Sequence, residues 1–190
     1  ITNATKGQTG NITMQTALNY SLNTGMVTIA ERLGDGNNIT LDARNSMYQY
    51  FHDRFGFGEK TGVEVAGEQP GIVISPSDPE GNAVRYSNMA FGQGMDLTMV
   101  QVAAAFCSIM NGGTYYQPTV LAGMMNDDKT RFTPNQPKVV RNSVVSKQTS
   151  DTIHSMVHEA RAKFYAGQDR KGYDVGGKTG TSQTLVNGQY

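Results

Sequence analysis

A short glycine-rich stretch near the end of the chain holds the residues best suited to chemistry. It runs from Gly176 to Ser182 and places Lys178 beside two hydroxyl residues, Thr179 and Thr181. Glycine leaves the backbone uncluttered, while an ammonium group and hydroxyl groups bind anions. The stretch therefore predicts a receptor for a small anionic group, such as a carboxylate or a phosphate.

The letters around Lys178 also fit a nucleotide-binding motif. Gly172 to Thr179 match the P-loop pattern G-x-x-x-x-G-K-[ST], which must follow a buried strand and begin a helix. Here a polar run, 166–171, precedes Gly172, and residues 182–188 favour a strand and a turn. The context disfavours an NTPase, and ATP binding that depends on Lys178 would revive that reading.

A second motif covers the same lysine. Residues 178–181 match K-T-G-[TS], which serine acyltransferases that recognise penicillin carry on a strand beside the nucleophile. Four residues alone are also compatible with a glycine-rich hairpin strand that has no role. The rest of the chain has to decide between these interpretations.

Size and composition exclude several classes of protein. The chain has 190 residues, enough for one domain with its own core. Sixteen acidic and sixteen basic residues balance without long runs, so no nucleic-acid or membrane-surface patch is indicated. No stretch is apolar enough to predict a membrane span or a signal peptide. The only cysteine, Cys107, has apolar neighbours and is expected in the core.

The first half of the chain predicts helices separated by turns. Thr13 can cap a helix, a break is expected from Tyr20 to Gly25, and a second helix should end at Gly34. A further amphipathic helix is predicted from Thr40 to Phe55, because its apolar residues recur at spacings of three and four. Glycines and prolines then indicate turns.

The second half contains the clearest helix signals. A short helix is predicted over Ala83–Met89. Thr98 and Gln101 form a capping box before an almost wholly apolar helix, which is expected in the middle of the domain. An extended segment should follow its end at Asn111, and Ser146 should cap a last amphipathic helix.

That last helix carries His154 and His158, which could share a metal ion at a spacing of four residues. Ser155 stands where H-E-x-x-H needs glutamate, and the sequence offers no evident third ligand. Structural or surface histidines are therefore expected, with no metal and no other cofactor.

Several ordered blocks extend the match beyond one tetrapeptide. Together they make the chain resemble the transpeptidase domain of class B penicillin-binding proteins over nearly its whole length. The blocks are Ile12–Leu18, Ser21-Leu-Asn23-Thr-Gly-Met26, Phe55–Gly58 with Thr61–Glu64, Gly67-Glu68 and Gly71, Phe91–Gly94 with Gln101 and Ala103–Ala105, Asn111–Tyr115 with Pro118, Gly172-Tyr173, and Gly177–Thr181.

The resemblance implies an α+β, mostly α fold and a penicillin-sensitive acyl transfer. A serine would attack the D-Ala-D-Ala end of a peptidoglycan stem peptide, and an amine from a neighbouring peptidoglycan strand would take the acyl group. β-Lactams would acylate the same serine. The implied parent enzyme works outside the cytoplasm with the elongation or division machinery, anchored by a membrane segment that this sequence does not include.

The resemblance also assigns roles residue by residue. Ser21 and Asn23 resemble an S-x-N signature, in which the serine relays a proton and the asparagine orients the acylating lysine and binds substrate backbone. Lys178 would supply positive potential for the substrate carboxylate, Thr179 and Thr181 would bind that carboxylate, and Gly180 would leave space for it. The Thr181 N–H would supply half of an oxyanion hole.

One family signature is missing from the sequence. No serine has a lysine three residues on, so the S-x-x-K nucleophile segment is expected upstream of Ile1. The chain 1–190 is thus predicted to be a partial transpeptidase domain, inactive alone. Its helical subdomain would span 1–170, and 171–190 would hold the active-site strand or hairpin of an incomplete sheet.

A strand cut from its sheet has an unpaired edge, so 172–190 are expected to be disordered, folded back, or paired or swapped with another copy.

Two alternatives for the whole chain stay open. One is a non-catalytic binding module on the same scaffold, and the other is a hydrolase like the serine β-lactamases.

Overall fold

The computed structural model describes residues 1–4, 8, 10–168 and 170–180. These residues form helices with small antiparallel sheets, as the predicted α+β, mostly α class requires. The helices are α1 (Met14–Asn19), α2 (Asn23–Glu31), α3 (Leu41–Tyr48) with a π-helical continuation (Gln49–Arg54), α4 (Ala83–Met89), α5 (Met99–Met110) and α6 (Lys147–Tyr165) with a 3-10 turn (Ala166–Gln168). The strands are β1 (Tyr115–Tyr116), β2 (Gly123–Met125), β3 (Phe132–Pro134) and β4 (Val139–Arg141).

The chain divides into two compact units, and the first is helical. It comprises residues 1–47, 76–94 and the chain from Thr152 onward. Its apolar core is drawn from α1, α2, α3, α4 and α6 and from the loops beside them. The buried residues are Ala17, Leu22, Ala30, Ile39, Ala43, Met47, Tyr86, Met89, Val157 and Ala160.

The second unit comprises residues 48–75 and 95–151 and contains the four strands found among the described residues. β1 pairs with β4 and β2 with β3, both antiparallel. The Gln101 side chain of α5 is fully buried and donates to the carbonyls of Glu59, at 2.6 Å, and Pro70, at 2.7 Å. Because a buried amide must satisfy its donors, this side chain fixes the glycine-rich loop against α5.

Most predicted helix starts are confirmed. The hydroxyl oxygens of Thr13 and Thr98 accept from backbone N–H groups of the first turns of α1 and α5, and Thr98 and Gln101 form the full capping box. Ser146 accepts from the Thr149 N–H at the start of α6, at 3.1 Å. Helix α4 has the predicted bounds.

Helix α5 was expected in the middle of the domain, and this prediction is wrong for one of its faces, which is exposed. Its buried residues are Gln101, Ala105 and Ser108, which share one face, whereas Met99 is 89% exposed and Cys107 is also exposed. Composition alone does not say which faces of an apolar helix have a neighbour. Cys107 is therefore a surface thiol in this structure and not the expected core residue.

The predicted active-site strand does not form within residues 170–180, which have no ladder partner among the described residues. Residues 174–178 instead fold back along α6. The other half of the predicted strand or hairpin, 181–190, lies outside the described residues. None of the described helices combines the length and apolarity that crossing a bilayer requires.

Candidate active site

Ser21 lies at the junction of α1 and α2, in a backbone conformation unusual for serine. Its φ is +51°. The Ser21 N–H donates to Leu18 O at 3.2 Å, and the Leu22 N–H donates to Ala17 O at 2.9 Å. This is the Schellman pattern that ends many helices, with Ser21 in the left-handed position usually taken by glycine. The motif reverses the chain and exposes the hydroxyl.

The junction is tighter than the predicted break from Tyr20 to Gly25. α2 already begins at Asn23, so Gly25 is helical. A Cβ on Gly25 would lie 2.8 Å from the Cβ of Ala17. The missing side chain thus lets α2 pack directly on α1, and this close approach fixes the turn that carries Ser21.

Helix α6 supports α1 from one side. The Gln15 amide donates to Met156 O at 3.0 Å, and the Asn19 amide donates to the Glu159 carboxylate at 3.1 Å. The Tyr20 ring meets the Phe164 ring edge-on, with 5.8 Å between centroids (an arrangement that aromatic pairs prefer). α1, and Ser21 at its end, are therefore located relative to α6.

The same helix supports the segment that leads to Lys178. The Gly177 N–H donates to Val157 O at 3.1 Å, and the Arg161 Nε donates to Val175 O at 3.0 Å. A Cβ on Gly176 would lie 2.8 Å from the Val157 side chain, so only glycine allows this approach without a shift. A segment without regular structure is thus held at a defined place on α6.

The contacts of α6 with α1 and with residues 175–177 bring Lys178 to Ser21. The Lys178 Nζ donates to the Ser21 Oγ, and it also contacts Thr179 through O, at 3.2 Å, and through Oγ1, at 3.1 Å. Partial burial of the ammonium group lowers the pKa of Lys178 below its ordinary value of 10.5, because desolvation disfavours the charged form. The structure thus brings together two of the predicted site residues, Ser21 and Lys178.

The other predicted site residues are less closely grouped. The Asn23 side chain donates to Thr2 O at 3.0 Å, so it binds the N-terminal segment. A Cβ on Gly180 would meet no atom within 4 Å, which agrees with the open space expected there. Thr181 lies outside the described residues.

A small pocket opens beside Lys178. Its volume is about 220 Å³, and it is bordered by the ends of α1 and α6 and by the 177–179 backbone. Phe164 and Tyr165 give it an apolar wall, while Lys178 and Arg161 add positive charge. A cation beside hydroxyl groups at an open pocket is suited to hold a carboxylate that carries an apolar body.

The two histidines of α6 face a carboxylate. His158 Nδ1 lies 2.5 Å from Asp174 Oδ1, and His154 Nδ1 lies 4.0 Å from Asp174 Oδ2. All three side chains are partly exposed. The described residues contain no cluster of three or more histidine, cysteine or acidic side chains arranged to hold a metal ion.

Sequence reasoning missed the side chains that support the Lys178 segment. The spacing of His154 and His158 was visible, but their partner Asp174 was not, because pairing across a turn leaves no local pattern. Arg161 and Val157 looked like ordinary residues of an amphipathic helix. Gly176, two residues before Lys178, was the one available signal of a close approach.

Comparisons with known proteins identify the family of the chain. The family model of the penicillin binding protein transpeptidase domain matches residues 1–190. Stage V sporulation protein D of Bacillus subtilis is 34% identical over 172 residues, which cover 90% of this chain and 25% of that protein. Penicillin-binding protein PbpB of Mycobacterium tuberculosis is 27% identical over 176 residues, covering 88% of this chain and 24% of that protein.

Solved structures show the same fold. Apo penicillin-binding protein 3 of Mycobacterium tuberculosis matches with a TM-score of 0.78 and 26% identity, over 98% of this chain and 40% of that one. The same protein complexed with aztreonam matches with a TM-score of 0.67 and 25% identity, over 92% and 35%.

The fold and the family match thus define a domain of the penicillin binding protein transpeptidase class. The chain belongs to the penicillin-binding protein transpeptidase domain family. It spans about a quarter of the length of the curated relatives that it matches.

Proposed function

We propose that this chain forms part of a peptidoglycan D,D-transpeptidase that cross-links stem peptides by serine acyl transfer and is acylated by β-lactams. The observation that carries the proposal is the contact between Lys178 and Ser21, two residues 157 positions apart that both lie in family motifs. Family membership supports the reaction class, since relatives are named peptidoglycan D,D-transpeptidases.

The roles follow from the donors and acceptors at this contact. A hydroxyl that accepts from an ammonium group can pass a proton on, so Ser21 relays a proton between the general base and the leaving group. The Lys178 ammonium and the Thr179 hydroxyl bind the carboxylate that stem peptides and penicillins share, together with Thr181. Gly180 leaves room for it. The Asn23 amide would have to leave Thr2 O to orient substrate.

The attacking serine comes from a residue outside this sequence, because no serine here has a lysine three positions on. The 190-residue chain alone then forms no covalent adduct with penicillin. We place the complete enzyme outside the cytoplasm, anchored by a membrane segment beyond this sequence, where its substrate and its elongation or division partners are found.

The test uses the full-length gene product and a fluorescent penicillin. Wild-type protein should form a stable covalent adduct, and Lys178→Ala should lower the second-order acylation rate constant about 100-fold, because a charge-assisted bond to the ligand carboxylate is lost. Lys147→Ala is the matched control. That lysine is 79% exposed and pairs with Asp151 elsewhere on α6, so its loss should leave acylation unchanged.

Two results would contradict the proposal. If the full-length wild-type protein binds penicillin reversibly but never forms an adduct, the chain belongs to a non-catalytic binding module. If the adduct forms equally fast with Lys178→Ala, the family reaction stands but Lys178 does not hold the ligand carboxylate.

A further inference from the structure

Asp174 is the acidic residue that precedes the Lys178 motif, and it lies against one face of α6. Its Oδ1 is 2.5 Å from His158 Nδ1, and its Oδ2 is 4.0 Å from His154 Nδ1. Residues four apart on a helix share a face, so the two imidazoles lie side by side towards the carboxylate. The histidine pair that could suggest a metal site is thus occupied by a side chain of the chain itself.

The contact is more enclosed than the exposure of the whole side chains suggests. Asp174 and His158 are 61% and 43% exposed, but the His158 Nδ1 atom is shielded from solvent and forms no regular hydrogen bond among the described residues. A shielded imidazole nitrogen is costly to leave without a polar partner. With a proton on Nδ1, the carboxylate at 2.5 Å supplies that partner.

The segment from Asp174 to Lys178 depends on such side contacts. Residues 172–180 have no strand partner within the described chain, so no ladder holds them. Their supports on α6 are the Asp174 contact, the Arg161 bond to Val175 O and the Gly177 bond to Val157 O. The Asp174 contact is the first of these along the chain and the only one among these three between two side chains. It holds on α6 the end of the segment that is farther from Lys178.

We propose that Asp174 and His158 are positioning residues that hold the Lys178 ammonium in place for the ligand carboxylate. Neither side chain touches the ligand or Ser21. They act through the backbone of residues 175–177, which they hold on α6. This inference rests on the proposed function, because its kinetic consequence is measured as β-lactam acylation.

The kinetic test compares Asp174→Ala with Asp151→Ala in the full-length gene product. Both changes remove an exposed carboxylate that pairs with a basic side chain of α6, but Asp151 pairs with Lys147, outside this segment. Asp174→Ala should lower the second-order acylation rate constant for a penicillin about fivefold, mainly through weaker initial binding. Asp151→Ala should leave it unchanged, and Asp174→Glu should recover most of the loss.

A penicillin methyl ester separates positioning from a general structural effect. The ester lacks the carboxylate that Lys178 holds, so wild-type protein and Asp174→Ala should react with it at nearly equal rates. A double variant, Asp174→Ala with His158→Ala, should lose no more than Asp174→Ala alone, because the first change already removes the contact. Equal losses with penicillin and ester, or additive losses in the double variant, would overturn the inference.

Hydrogen exchange of the Gly177 amide tests the same idea without any ligand. This N–H donates to Val157 O at 3.1 Å, so it reports whether the segment stays on α6. Asp174→Ala should speed its exchange about fivefold, while Asp151→Ala should not. Unchanged exchange would overturn the positioning role. Faster exchange in a protein that penicillin never acylates would keep the anchoring and overturn the proposed function instead.

Discussion

The left-handed backbone of Ser21 permits a direct test of the site's geometry. With φ at +51°, the Cβ of any residue other than glycine lies close to a neighbouring carbonyl oxygen. We expect Ser21→Gly to be more stable than Ser21→Ala in the otherwise unchanged chain. Both variants lose the hydroxyl and its bond to Lys178, so the loss of that bond cancels from their difference in stability.

The magnitude follows from two opposing contributions. A left-handed conformation costs an L-residue with a Cβ roughly 1–2 kcal/mol. Glycine avoids this cost but loses more unfolded-state entropy, roughly 0.4–1 kcal/mol. Taken at the middle of both ranges, the balance favours Ser21→Gly over Ser21→Ala by roughly 0.8 kcal/mol. The Schellman hydrogen bonds from Ser21 and Leu22 do not alter it, because they are made by backbone groups and survive in both variants.

Thermal unfolding of the 190-residue chain provides the assay. For a chain of this size the difference corresponds to a midpoint roughly 1–4 °C higher for Ser21→Gly than for Ser21→Ala. In the full-length gene product both variants should acylate equally slowly, because neither has the hydroxyl. If Ser21→Gly were no more stable than Ser21→Ala, the backbone at Ser21 would carry no strain and this reasoning would fail.

Two further predictions concern the Lys178 segment. Burial lowers the pKa of Lys178, so the second-order rate constant for penicillin acylation should start to fall at a pH below 10.5, as the ammonium loses its proton. In Lys178→Arg the side chain stays charged, so the rate constant should not show this fall at alkaline pH. Gly176→Ala should detach the segment, since its Cβ would lie 2.8 Å from the Val157 side chain. It should therefore speed exchange of the neighbouring amides at least tenfold, whereas Gly167→Ala, with no atom within 4 Å, should not change it.

Local signals explain which parts of the fold could be predicted from sequence. The capping box of Thr98 and Gln101 and the cap at Thr13 are formed by residues within one helical turn, so short patterns are sufficient to find them. The short helix over Ala83–Met89 was also predicted with its observed bounds. These features need no knowledge of distant parts of the chain.

Features that depend on distant neighbours were predicted less well. Cys107 has apolar neighbours in sequence, but its exposure depends on what covers that face of α5. A strand at Lys178 needs a partner strand, which the described residues do not provide. Ser21 and Lys178 were identified as site residues from family motifs, whereas the contacts of Asp174 and Arg161 with the Lys178 segment and α6 were not predicted.

Helix α6 is the common base of both halves of the candidate site. It binds α1 through Gln15 and Asn19 and the Lys178 segment through Arg161 and Val157. If α6 slid or tilted as a rigid body, Ser21 and Lys178 would therefore move with it, and the distance between them would be preserved. Mutations that change the distance between Ser21 and Lys178 should accordingly lie at the contacts of α6 with α1 or with the Lys178 segment. Amino-acid changes on the solvent-facing side of α6 should leave that distance unchanged.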